Sequence, residues 1–259
     1  MIVQIYEIQT PEEAIQVIAE GVHHIGSVIL DSTRWQQTPI RDAIQTAHRL
    51  QARSSLIPLF FDPQVIFQLM EWYQPDILHF CDALWDDTGQ SVDISPFLGL
   101  QKDIRKARPA IKIMRTIPIP EPGVVSPVDP LSLAKAFEAH SDWLLTDTWK
   151  QPPADSISAD QPVTGFVGIT GKPCDWDIAA NMVRSVKIPV ILAGGITPDN
   201  AYAGIMQVRP AGIDSCTGTN ALDSAGNPIR FKKDINQIKK LISAVNQAES
   251  DLKTNHIKQ

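Results

Sequence analysis

Three short stretches in the C-terminal half carry the first chemical signal. "ILAGGITPDN" ends an apolar run in Gly194-Gly195 and continues into Thr197-Pro198-Asp199, so unhindered backbone N–H groups stand beside a helix start. "DSCTGTN" offers Ser215 and Gly218, and "GITGK" adds Thr170 and Gly171. One such glycine pair alone marks a tight turn. Its recurrence in neighbouring stretches points to a bound phosphate. Side chains able to move protons stand at the ends of other apolar runs: Tyr6 and Glu7, His79 and Cys81, and Asp147. Arg34 and Arg115 are placed to meet an anionic ligand, and Trp35 either stacks on a planar ligand or covers a rim. Each has a plainer reading: a cap or loop ion pair for Asp147, core packing for His79 and Cys81, surface charge for the arginines. Cys174 and Cys216 read as small packing residues.

These residues need elements to position them. Apolar runs at 2–8, 24–30, 55–61, 76–80, 110–117, 142–147, 188–194 and 211–217 alternate with helical patterns that begin near Pro, Asp, Ser or Thr. The runs lack polar alternation, as parallel strands covered on both faces do. Eight βα units predict a single-domain (β/α)8 TIM barrel over 1–248, with a polar tail at 249–259. A doubly wound open sheet uses the same units, but no Gly-x-Gly-x-x-Gly follows the first strand. In a barrel, chemistry sits at the C-terminal strand ends, where all the candidates above fall, whereas His23 and His24 precede the second strand and face the stabilising end. The longest irregular stretch, 148–174, is expected to be a functional loop.

Composition narrows the class. The chain has 259 residues, is 43% hydrophobic, and carries a net charge of −6 from 23 basic and 29 acidic residues without a basic block. That argues against nucleic acid as a partner. Three widely spaced cysteines fit a reducing cytoplasm and show no metal-ligand spacing. The opening "MIVQIYEIQTPEEA" does not read as a secretory signal, and no apolar run approaches the roughly 20 residues of a membrane span. The expectation is a cytoplasmic protein with a small phosphorylated substrate and neither metal nor organic cofactor. Oligomeric state is left open.

"GITGKPCDWDIAANM" and "IPVILAGGITPDNAYAGIMQVRPAGIDSCTG" together resemble the C-terminal half of the phosphoribosylanthranilate isomerases. That family shows a Gly-Gly-Thr-Gly-Lys-x-x-Asp-Trp loop, a Leu-Ala-Gly-Gly-Leu-x-Pro-x-Asn strand end and a Gly-Val-Asp-x-Ser-Ser-Gly close. "DWLLTDT" resembles the strand carrying the family's general acid, which implies that role for Asp147. "DSTRWQQ" resembles its Ser-x-Arg-Tyr segment and implies that Arg34 meets the anthranilate carboxylate. "DILHFCD" resembles Val-Gln-Leu-His-Gly, with His79 and Cys81 at the Gln and His positions. The first strand departs: the family's Cys base is Tyr6 here.

The resemblance implies an Amadori rearrangement of an aminoaldose to an aminoketose, part of tryptophan biosynthesis. An acid protonates the ring oxygen and a base takes the C2 proton. A tyrosine, with a pKa of about 10, is a poor base at neutral pH, whereas a thiol at about 8.5 is workable. Tyr6, Glu7 and Cys81 are therefore the candidates for the displaced base. Alternatives are a paralogue that keeps the phosphate grip with different chemistry, and a phosphate-ligand binding protein without turnover.

Overall fold

The computed structural model describes residues 1–85, 90–126, 128–149, 166–168 and 170–257. Eight parallel strands close on themselves: β1 (Ile2–Ile5), β2 (His24–Ile29), β3 (Arg53–Pro58), β4 (Ile77–Phe80), β5 (Lys112–Pro120), β6 (Trp143–Trp149), β7 (Val190–Leu192) and β8 (Gly212–Ser215). Closure is made by β1 against β8, with Ile2 opposite Gly212 and Ile5 opposite Ser215, which excludes the open sheet. The fold is the expected (β/α)8 barrel.

Helices α1 (Pro11–Ala19), α2 (Thr38–Arg49), α3 (Pro63–Tyr73), α4 (Ser95–Ala107), α5 (Pro130–Glu138), α6 (Trp176–Ser185), α7 (Ala201–Val208) and α8 (Ile235–Ile257) cover the outside. Proline in the first turn of α1 to α5 fixes φ where no N–H is needed. Thr10, Asp62, Asp129 and Asp175 cap α1, α3, α5 and α6 by accepting first-turn N–H groups. The main core lies between sheet and helices, where Val3, Ile5, Ile117, Leu192 and Ile213 meet Val17, Phe137, Ile205 and Leu241. Inside the barrel, Ile77, Met114, Leu145 and Ile191 share the space with buried Gln4, His24, Ser55, His79 and Thr116.

Two features differ from expectation. A hairpin of β9 (Asn220–Leu222) and β10 (Pro228–Lys233) follows β8 and returns over the end of β1. The polar residues expected as a tail continue α8 to Ile257, because one face of that stretch packs. Ala248 is buried, Glu249 pairs with the Met1 ammonium, and Asp251 accepts from Tyr202 Oη at 2.9 Å. Most of the loop expected at 148–174 lies outside the described residues. Among the described residues, no helix is long and apolar enough to cross a membrane.

Candidate active site

At the C-terminal end of the barrel, Asp147, Thr170, Gly171, Gly194, Gly195, Asp214, Thr217 and Gly218 line one small cup. Its floor is backbone. Gly171, Gly194 and Gly195 hold φ of 66°, 87° and 60°, the left-handed region that glycine occupies without strain. Close approach adds a second constraint at Gly195: a Cβ there would stand 2.2 Å from the Lys172 carbonyl carbon. Thr148 Oγ1 fastens the same loop by donating to Lys172 O at 2.6 Å. Asn200 orders the turn before α7, accepting from Thr197 N at 2.8 Å and donating to Gly195 O at 2.8 Å. The N–H groups of Gly171, Gly195, Thr217 and Gly218 have no protein acceptor among the described residues, so the cup presents donors to an anion.

Two carboxyl groups flank this cup. Asp147 stands near the end of β6, where Thr148 N donates to its Oδ1 at 2.7 Å. Gly168 closes on it so tightly that a Cβ there would sit 2.3 Å from Oδ2. Burial lifts its pKa from the ordinary carboxylate value to about 7. Asp214, on β8, is buried and accepts from Gln4 Nε2 at 3.1 Å. Burial chiefly, and then the charge of Asp147, lifts it to about 8, although the Gln4 bond favours the ionised form. Two interacting carboxyls raised in this way hold one proton between them near neutral pH. One is then a proton donor and the other an acceptor, within reach of the same bound anion.

No protein-family model matches the chain. Among curated relatives, the N-(5'-phosphoribosyl)anthranilate isomerase of Haloferax volcanii is 38% identical over 99 residues, 38% of this chain and 40% of that protein. The second such isomerase of Methanosarcina mazei is 34% identical over 57% of this chain and 54% of its own length. The Methanocella arvoryzae isomerase aligns over nearly the full length, 26% identical across 91% of this chain and 93% of that protein. The chain is a homologue of the phosphoribosylanthranilate isomerases. Solved isomerases of this name from Thermus thermophilus and Thermotoga maritima share the fold, with TM-scores of 0.64 and 0.62 at 17% and 19% identity, covering 95% of this chain and 99% and 100% of theirs. A thiamine phosphate pyrophosphorylase from Pyrococcus furiosus shares it too, with a TM-score of 0.56 at 16% identity over 95% of this chain and 96% of that one.

Where the isomerase motifs place a cysteine, Tyr6 turns into the barrel. Its ring lies on Gly26, where a Cβ would meet it at 2.2 Å, and its hydroxyl lies 2.5 Å from Ser55 Oγ and 2.6 Å from His79 Nδ1. Burial and the nearby Asp214 push its pKa well above the usual phenol value, so it is no base. His79, expected on substrate, is buried in the same network, with Nε2 2.7 Å from Thr116 Oγ1, and burial lowers it to about 3. Burial, with Asp82 adding to it, likewise raises the Cys81 thiol well above its usual value, which keeps it protonated.

Glu7 is displaced from the cup for a different reason. At φ 65° its carboxyl turns to the hairpin, where Arg230 Nε donates at 2.8 Å and Phe231 N at 3.4 Å. Burial opposes ionisation, but the Arg230 bond and the charges of Lys233 and Arg230 outweigh it and hold the pKa below the ordinary value. Arg115 points away from the barrel interior, between Phe97 of α4 and Phe137 of α5, and donates to Asp82 Oδ2 at 2.7 Å. Arg34 stands exposed on the loop after β2, paired with Asp31 at 3.3 Å, and does not line the cup. Trp35 packs against Trp72 and Tyr73 at the end of α3 and does not line the cup. Ser215, expected on the phosphate, is buried, donates to Ile196 O at 2.7 Å and does not line the cup; Thr217 does.

Sequence reading had missed Asp214, Gln4 and Thr217. The signal for Asp214 was present, since the "GID" of this chain stands at the isomerases' Gly-Val-Asp. Among the described residues, no three His, Cys, Asp or Glu side chains converge as metal ligands.

Proposed function

We propose that this chain is a cytoplasmic phosphosugar isomerase that works on N-(5'-phosphoribosyl)anthranilate, the compound named in its relatives, by means of an Asp147–Asp214 pair. The observation that carries the reading is two carboxyls of raised pKa beside a cup of free backbone donors. The cup holds the phosphate and so brings the sugar carbons between the carboxyls. Asp147 gives its proton to the ring oxygen as the C1–O bond breaks and nitrogen's lone pair makes the C1=N iminium. Asp214 takes the C2 proton, leaving an enolamine that tautomerises to the ketone. In the free protein Asp147, near 7, ionises before Asp214, near 8, so this division of roles needs the bound substrate to place the proton on Asp147. That protonation removes the charge that raises Asp214, and Gln4 and Lys233 then favour its carboxylate. In this reading the base has moved from β1 to β8, and Tyr6 belongs to the core.

Purified chain incubated with N-(5'-phosphoribosyl)anthranilate should form the aminoketose, followed by proton NMR, and the gene should restore growth to a tryptophan auxotroph lacking this isomerase. Asp147→Asn and Asp214→Asn should each do neither.

One observation favours a second substrate. Tyr6, Ile57, Leu59 and Cys81, with Phe166 against them, fill the mouth on the β1 to β4 side, and Phe166 bridges to Asp82 over the end of β4. A phosphorylated substrate without an aryl group would need only the β6 to β8 side. Turnover of a small aldose phosphate, with none of the anthranilate compound, would select that reading.

A further inference from the structure

A second cavity, of about 490 Å³, opens at the opposite end of the barrel, between the starts of β1, β2, β3 and β6 and the ends of α1 and α2. Ile2, Ile18 and Leu50 give it apolar walls, and Trp143, His24 and Arg53 give it chemistry. The Arg53 guanidinium lies over the Trp143 ring, 5.7 Å from its centre, and has no acceptor among the described residues. A cation on an indole face, with its N–H groups still free, is a seat for a planar anion. His24 is buried and meets Trp143 edge-on with centroids 6.0 Å apart. Its Nδ1 lies 3.2 Å from Gln4 Oε1, which fixes the proton on Nδ1, and its Nε2 has no partner among the described residues. The ring therefore offers a free acceptor.

Gln4 connects this end of the barrel to the other. Its Oε1 accepts from His24 and its Nε2 donates to Asp214. Asp214, Gln4, His24 and Arg53 are successive partners in one row across β8, β1, β2 and β3. In a closed barrel the strands tilt, so such a row climbs around the wall. This one starts in the lower cavity and ends at the candidate active site.

We propose that the lower cavity binds a small aryl carboxylate bearing a hydroxyl or amino group, and that its occupancy is transmitted to Asp214 through His24 and Gln4. The ring lies against Trp143 and the apolar walls, the carboxylate takes Arg53, and the hydroxyl or amino hydrogen donates to His24 Nε2. Loading His24 polarises its Nδ1–H, strengthens its hold on Gln4 and shifts the amide that faces Asp214.

The test uses 4-hydroxybenzoate as probe on the full chain, by titration calorimetry and by NMR of the Gln4 side-chain amide. Saturable one-to-one binding is expected, about tenfold weaker or worse in Arg53→Ala, the loss of a charge-assisted contact. Benzoate, which lacks the donor, should bind more weakly. The Gln4 amide should shift on binding in the wild type and stay still in His24→Phe, with a retained cooperative melting transition and wild-type circular dichroism serving as the folding control. Absence of saturable binding, or binding indifferent to Arg53→Ala, overturns the site. Binding without movement of Gln4 overturns the transmission. Self-association through this face, abolished by Leu50→Asp, would assign the cavity to a second copy and also overturn the proposal. Every readout is binding, so failure here leaves the isomerase reading standing, and the converse holds.

Discussion

Asp147 at the end of β6 and Asp214 on β8 flank the same glycine-lined cup, and the charge of Asp147 helps to hold a proton on Asp214. Burial places both far above ordinary carboxylates. The folded pKa values exceed the unfolded ones, so the stability these groups contribute is fully present below about pH 4 and is lost as pH rises through about 7 to 8. Asp214→Asn keeps an acceptor for Gln4 and removes the charge. Its melting temperature relative to wild type should therefore climb as pH goes from 5 to 9, while activity is lost. Melting curves at several pH values check this.

Tyr6→Phe removes a hydroxyl shared by Ser55 and His79. It should cost about 1–3 kcal/mol in denaturant unfolding, the penalty for unsatisfied buried groups. Turnover should stay within a few-fold of wild type, since the phenol takes no proton. A loss of a hundredfold or more, without unfolding, would return Tyr6 to the mechanism.

Glu7 is almost fully buried, and Arg230 supplies its counter-charge. Arg230→Ala should destabilise by about 2 kcal/mol or more, toward the low end for a broken buried pair because Arg230 is itself partly exposed. Glu7→Gln should restore part of that loss in the double variant and, alone, should leave the catalytic constant nearly unchanged. A denaturant double-mutant cycle with parallel turnover assays measures both.

Gly195→Ala places a methyl 2.2 Å from the Lys172 carbonyl carbon at φ 60°. The turn must shift, and the donors of the cup shift with it. Affinity for inorganic phosphate, read by calorimetry, should fall about tenfold or more, comparable to losing one to two charge-assisted hydrogen bonds.

The barrel was legible because eight buried runs alternate with capped helices, a pattern set by local chemistry. The glycine cup was legible for the same reason: Gly171, Gly194, Gly195 and Gly218 lie in short stretches of distinctive composition. What escaped the sequence depends on contacts across the closed sheet. Glu7 stands next to Tyr6, yet its direction is decided by Arg230, 223 residues away. Arg115 sits in a strand flanked by inward-facing neighbours, and only alternation along β5 sends it outward to Phe137. Asp214 gains its role from Gln4 and Asp147, neither of them near in sequence.

The most direct test of the carboxyl pair is a pH titration of the full chain labelled with ¹³C at the aspartate side chains, followed by NMR. The account predicts two resonances, lost one each in Asp147→Asn and Asp214→Asn, that titrate near 7 to 8, with the Asp214 resonance shifted downward in Asp147→Asn. If both resonances titrate in the ordinary carboxylate range, near about 4, both groups are ionised at neutral pH and the shared-proton account is contradicted.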